Sequence, residues 1–272
     1  SSLFNVVFDY VLMFPLGLSM SAAALATALS PIIGVLICCI HFKSEKCSIS
    51  FKPVGLSIKK LIYSCQVGVS AFVGEISSGV ITVAFNMIIL GLAGNIGVAA
   101  YGVVANISLV AVALFNGIAQ GSQPLVSECY GKGRMKDVGY VVGLAFKTAL
   151  VLAVLIIAAI YIWSDPIASI FNSEKNPELA AYAREGIRLY FIGFLFAGIN
   201  IVGTSALSAV EAVRWAFTAS IMRGFVAILI FAFALSAVFG MTGVWLAFPA
   251  AELVTMLLSL TGISKSIWAK CR

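Results

Sequence analysis

Residues 138–163 read VGYVVGLAFKTALVLAVLIIAAIYIW, a run interrupted by a single cation, Lys147. At about 1.5 Å per helical residue it outreaches a hydrocarbon core about 30 Å thick, which needs about 20 apolar residues. The apolar residues do not alternate with polar ones, which argues against the strands of an outer-membrane barrel. Working outward, comparable runs occupy 21–42, 61–91, 96–122, 181–208, 215–239 and 243–264, and a shorter tail occupies 3–14. The expected fold is therefore all-α, a polytopic transmembrane bundle of seven full helices and a partial one. The run 61–91 is longer than a bilayer requires, so it is expected to start as an interfacial turn or to run tilted.

Composition agrees. Of 272 residues, 61% are hydrophobic and 10% charged, against about 25% charged in a typical soluble domain. So few polar groups cannot cover a water-facing surface of this size, which excludes an ordinary soluble enzyme. The first residues, SSLFNVVFDYVLMF (1–14), are already membrane-like and carry no initiator Met, basic leader or cleavage signal. The chain is expected to begin inside a helix, as a fragment of a longer protein.

The basic residues report topology. Lys43, Lys46, Lys52, Lys59 and Lys60 lie between the second and third spans, Lys132, Arg134 and Lys136 between the fourth and fifth, Arg214 and Arg223 around the start of the seventh, and Lys265, Lys270 and Arg272 at the C-terminus. All fall on one side, whereas the opposite side has Lys175, Arg184 and Arg188 among several acids. Short loops rich in Lys and Arg stay in the cytoplasm, so a cytoplasmic C-terminus is expected. The net charge of +6 is thereby explained without a nucleic-acid partner. The six cysteines show no zinc-ligand spacing and are expected to be reduced thiols.

Two stretches that cross the membrane in the same direction look alike: Ser19–Ala26 (SMSAAALA) aligns without gaps on Gly240–Ala247 (GMTGVWLA), and each is followed by a proline, Pro31 or Pro249. Same-direction repeats suggest two halves related by an axis along the membrane normal. The expected division is an end of a first lobe at 1–42, a basic linker at 43–60 with Pro53 and Gly55 as breakers, and a six-helix lobe at 61–272.

Ionisable groups deep in a span are costly and serve as default functional candidates. Asp9, Glu75 and Glu252 qualify. Asn5 lies one helical turn before Asp9, and Thr27 stands at a comparable depth on the next helix. Together they offer hard oxygen ligands for Na⁺, or a buried carboxylate able to carry a proton; the alternative is an interhelical hydrogen-bond clamp. Glu75, beside Gly74, Ser77, Ser78 and Gly79, reads as a proton carrier or partner for a cationic substrate, or as a protonated structural acid. Glu252, with Asn200 as companion, is a second such candidate. Arg223 is expected to snorkel to the cytoplasmic interface, and Glu185 and Arg188 to pair at an outer helix end. One interfacial histidine, His41, and scattered acids supply no catalytic pair, so no enzymatic activity is expected.

With NVVFD (5–9) followed by FPLGLSMSAAALATALS (14–30), GVAAYGVVANI (97–107), the stretch from Gly117 through Gln120-Gly121-Ser122-Gln123-Pro124 to Tyr130-Gly131, GINIVGTSALSAVEA (198–212) and GMTGVWLAFPAAEL (240–253), the chain resembles the multidrug and toxic compound extrusion transporters over nearly its whole length. The resemblance implies a twelve-helix, two-lobed secondary transporter that exports small organic cations in exchange for H⁺ or Na⁺, with no other cofactor. It implies a coupling-cation site at Asn5, Asp9 and Thr27, no metal beyond Na⁺ there, and an acidic C-lobe position at Glu75. A second C-lobe carboxylate on the family's tenth helix is not apparent; Asn200 lies near that position. A monomer in the bacterial inner membrane is expected. Flippases of lipids or lipid-linked oligosaccharides share the architecture and remain the rival, although their anionic substrates call for basic cleft residues.

Overall fold

In hydrocarbon a backbone N–H or C=O has no water to bond, so each segment must satisfy its own, and a helix does so locally. The computed structural model describes residues 2–13, 20–41, 57–170 and 176–271, without the side chains of 2–4, 9, 20–23, 41, 67, 70, 71, 78, 168 and 170. Every regular element among them is helical. The linker residues 43–56, Ser19 of the repeat, Lys175 and Arg272 lie outside the described residues.

The chain divides into two compact units, Ser1–Ser57 and Ile58–Arg272. The first contains α1 (Ser2–Met13) and α2 (Met20–His41), which pack on one another; Pro31 is accommodated inside α2. The second contains α3 (Ile58–Gly131), α4 (Met135–Ile170), α5 (Pro177–Phe191), α6 (Phe194–Ala209), α7 (Val213–Ile221) and α8 (Ala227–Ser266), with a π-turn, Met222–Val226, joining α7 to α8 and a 3-10 turn at Trp268–Lys270.

Two of these helices are hairpins folded at one glycine. Gly94 breaks α3 at φ 61°, ψ −155°, and Gly240 breaks α8 at φ 58°, ψ −131°. Side chains with a Cβ rarely enter that region, so glycine lets the chain reverse without a loop. Divided there, and with α5 and α6 taken as one span bent by 48°, the described residues form seven full helices and a partial one, as expected. The start of α5 is fixed by Asn176, whose side chain accepts from the N–H groups of Glu178 (2.9 Å) and Leu179 (3.3 Å), with Pro177 at the first helical position.

Packing in the second unit is inverted relative to a water-soluble domain only on its outside. Leu109, Val110, Leu150, Val151, Ile230, Phe233 and Val238 are exposed, as surfaces that meet acyl chains can be. Inside, aromatic rings meet glycines. Phe85 stacks on Tyr101 and Tyr101 on Trp245, at centroid separations of 5.4 and 6.4 Å. Tyr190 lies nearly parallel to Phe248 at 4.2 Å, and Phe194 contacts Phe115, Phe191 and Phe248. Trp245 is fully buried against Gly186, Phe248 packs on Gly193 and Phe115 on Gly198. Small residues on α5 and α6 thus let bulky ones on α3 and α8 approach closely, the usual device where no hydrophobic effect draws helices together. A second buried patch, including Val126, Val138, Leu207, Val210 and Ile263, fills the end of the unit where α3, α6 and α8 terminate.

A methyl at Gly186 would sit 2.9 Å from ring carbons of Trp245. Gly186→Ala should therefore lower the melting temperature in detergent, overpacking of about 1–3 kcal/mol outweighing the roughly 1 kcal/mol gained in helix propensity. Gly143→Ala on α4, where nothing lies within 4 Å of the added carbon, should leave it unchanged or raise it. Equal behaviour of the two variants in tryptophan-monitored thermal unfolding would remove the close approach from the account.

Candidate functional site

Among the described residues, the second unit holds a deeply buried charged network built from three helical segments. Asn200, from the middle of α6, is fully buried, and Glu252, from the second arm of α8, is 2% exposed. Arg223 comes from the π-turn. The Arg223 Nε donates to Glu252 Oε1 at 2.6 Å, and the Asn200 Nδ2 donates to Glu252 Oε2 at 2.7 Å and to the Glu252 backbone carbonyl at 2.8 Å. Both carboxylate oxygens are thus engaged, one by a cation and one by an amide. The Arg223 side chain is 30% exposed while that of Glu252 is 3% exposed, so the carboxylate is sunk in the protein and the guanidinium reaches down to it from a more open position.

The local sequence accounts for this placement. Ala250, Ala251 and Pro249 leave the α8 surface around Glu252 without bulk, and Pro249 has no N–H with which to continue the i→i−4 ladder at its position. The π-turn accommodates one extra residue in its helix, a distortion frequent at functional sites. Gly224, next to Arg223, packs so closely on Ser77 of α3 that a Cβ there would collide with the Ser77 hydroxyl oxygen. Asn200 keeps an unsatisfied acceptor: its Oδ1 is buried with no hydrogen-bond partner among the described residues. An unmet buried acceptor beside a carboxylate has capacity for another donor or a cation.

Of the candidates read from the sequence, the structure brings Asn200 and Glu252 together. Glu75 is exposed on the first arm of α3 and does not join them. In the first unit, the Asn5 Nδ2 donates to Thr27 Oγ1 at 3.3 Å, so the two residues meet across α1 and α2; the side chain of Asp9 lies outside the described residues. Among the described residues no three His, Cys, Asp or Glu side chains gather as a metal site.

Two expectations are corrected. Arg223 does not snorkel to the interface; it turns to the buried Glu252, because a carboxylate at this depth offers a guanidinium a stronger partner than interfacial water. Glu185 and Arg188 do not pair. Glu185 accepts from the Thr242 hydroxyl across to α8, Arg188 donates to Ser164 Oγ on α4, and among the described residues the ion pair at this end is Arg184 with Asp165 at 2.6 Å. Helical neighbours lost to residues on adjacent helices, which local spacing does not register. Arg223 was the residue missed, and the signal for it was a lone cation two turns inside a span with a lone acid in the following span.

Comparison with known proteins adds the following. The MatE family model matches residues 71–234. The chain is 26% identical over 264 residues to a multidrug export protein MepA of Staphylococcus saprophyticus, covering 96% of this chain and 57% of the relative. To the MepA of Staphylococcus haemolyticus it is 28% identical over 265 residues, covering 94% and 56%. The chain therefore spans a little over half the length of these curated relatives. Among solved structures, an outward-facing multidrug resistance MATE family transporter of the MOP superfamily superposes with a TM-score of 0.90 at 19% identity, over 99% of this chain and 61% of that one. A MOP superfamily transporter from Pyrococcus furiosus, described as having a binding pocket of reversed polarity, superposes with a TM-score of 0.89 at 19% identity, over 100% and 61%. At such identities the structural likeness establishes the fold.

Removing Arg223 alone strands a buried carboxylate, so Arg223→Met should destabilise the protein by about 3–5 kcal/mol, whereas Arg223→Met combined with Glu252→Gln should recover most of that loss. The double variant keeps an acceptor for Asn200 and carries no charge. Thermal unfolding of the single and double variants in detergent measures the coupling, and an unrecovered double variant would refute the ion pair as its source.

Proposed function

Because the chain belongs to the MatE family, we propose that it forms the larger part of a secondary active multidrug exporter, one that antiports small organic cations against H⁺ or Na⁺ by alternating access. The observation that carries this reading is the buried carboxylate of Glu252 held by a tethered guanidinium. A protein that exchanges cations needs an anionic group that is neutralised in every state it visits, since a bare carboxylate in a low-dielectric interior is prohibitive. Arg223 supplies the charge when the site is unloaded. A proton, Na⁺ or substrate cation that reaches Glu252 competes with the guanidinium, and the Asn200 acceptor is available to help hold the newcomer. Loading then loosens the tie between the π-turn and the second arm of α8, and the two states of the lobe differ in affinity for the cation, which is the requirement for coupling binding to a conformational equilibrium.

Asn5, Asp9 and Thr27 make the first coupling site in this reading. The Asn5–Thr27 hydrogen bond supports it by placing two of the three groups in contact. Glu75, exposed on α3, is an acid that a substrate cation can reach from outside the packed lobe. The exporter works as a monomer in the bacterial inner membrane with its C-terminus in the cytoplasm; the concentration of basic residues at one end of the spans supports that orientation. Flippase activity on lipids or lipid-linked sugars is the less favoured reading, since Arg223, the cation that reaches into the lobe among the described residues, is already neutralised by Glu252.

Transport of a fluorescent organic cation in proteoliposomes bearing the intact transporter tests the proposal. Accumulation should follow an imposed H⁺ or Na⁺ gradient, and Asp9→Asn should lower the gradient-driven rate at least about tenfold, the scale of losing one coupling group worth 1.4 kcal/mol or more. Unchanged, gradient-dependent transport by Asp9→Asn would remove the first site from the mechanism. Transport indifferent to either gradient would remove antiport.

A further inference from the structure

At the end of the second unit where α3 begins and ends, α6 gives way to α7, and α8 terminates, there is an open cleft of about 410 Å³. Volumes of about 300–1,000 Å³ are typical of small-molecule sites. Its lining includes Arg214, Lys270, Trp215, Tyr130, Ser266 and Glu211. The corner that shapes it is strained: Glu211 has φ 58°, a left-handed conformation uncommon outside glycine and asparagine. Backbone strain of this kind persists where the surroundings over-determine it, and here the Tyr63 hydroxyl donates to Glu211 Oε2 at 2.6 Å, holding the corner to the start of α3.

The charges at this cleft are unbalanced. Among the described residues Lys132 pairs with Glu128 and Arg134 with Asp137, whereas Arg214 and Lys270, which line the cleft, form no ion pair. Lys265 lies 5.4 Å from the centroid of the Trp215 ring. Two cations, Arg214 and Lys270, share the cleft with one acid, Glu211, whose carboxylate already accepts from Tyr63, so the cleft favours an anion. The surroundings narrow the choice. Exposed Leu61 and Ile62 adjoin Tyr63, exposed Leu257 lies on α8 ahead of Ser266, and Trp268 is partly exposed beside Lys270. Apolar surface that meets acyl chains thus gives way to aromatic rings and unpaired cations within the same helices, the succession found at a membrane interface.

We propose that this cleft binds the headgroup of an anionic phospholipid, with Arg214 and Lys270 on the phosphodiester and Glu211 and Ser266 available to headgroup hydroxyls, as in phosphatidylglycerol. This site is independent of the transported substrate and of the Glu252 network. The lipid would tie together the ends of α3, α7 and α8 by bridging residues from each.

The test measures thermal unfolding of the purified intact transporter in a neutral detergent with added phosphatidylglycerol, phosphatidylcholine or inorganic phosphate. Phosphatidylglycerol should raise Tm by about 3 °C or more over phosphatidylcholine, and raising the salt should shrink the difference. The doubly substituted Arg214→Gln, Lys270→Gln protein, altered only at exposed positions, should keep its Tm in phosphatidylcholine and lose the increment. An increment retained by that variant overturns the site, as does the absence of any increment in the parent protein. Inorganic phosphate reproducing the increment overturns the lipid as its occupant.

Discussion

Among the described residues of the larger unit, the Arg223–Glu252 ion pair is where full charges are held at depth, and the need to compensate them constrains the helices around it. Everything around it is arranged to tolerate them. A carboxylate 2% exposed needs a counter-charge and hydrogen bonds for each oxygen, and it receives both from helices distant in sequence. That requirement joins α6, the π-turn and the second arm of α8 by directional contacts, where aliphatic side chains in a bilayer find lipid nearly as good a neighbour as protein. The aromatic rings seated on glycines then fill the remaining volume.

A second constraint is the satisfaction of backbone groups. Long uninterrupted helices meet it everywhere except where the chain must reverse. At Gly94 and Gly240 the reversal is confined to one residue, so only a few peptide groups leave the helical ladder. At Met222–Val226 the ladder is modified rather than interrupted, and the residue carrying the buried guanidinium sits in the modified turn.

How much of this was legible in the sequence follows from the range of the interactions. Spans such as 138–163 were legible because the membrane imposes length and apolarity on each helix by itself. Gly94 and Gly240 fall in the short links expected between spans, though the sequence does not say that each reversal needs only one residue. Asn200 and Glu252 were recognisable as polar groups in apolar runs, and their companionship followed from both being buried amides or acids near mid-span. The place of Arg223 is not legible locally because tertiary competition decides it: interfacial water and a buried carboxylate both attract it, and only the fold shows that Glu252 is within reach. Glu185 and Arg188 failed for the same reason, each having a better partner on a neighbouring helix than on its own. The cleft at the α6–α7 corner had no local signature at all, since its lining is drawn from α3, the corner, α7 and the end of α8.

The π-turn has a bearing on how this helix can lengthen or shorten. One residue corresponds to about 100° of rotation along an α-helix, so losing one anywhere in 227–239 would swing every later side chain of that arm to a different face, lipid-facing ones inward and buried ones outward. Within Met222–Val226 the same loss would let the turn relax to ordinary α-helix, with the segments on either side keeping their facings. The bulge is therefore the position at which this helix absorbs a change of length without scrambling its faces, and the residue such a change would dislodge is the partner of Glu252.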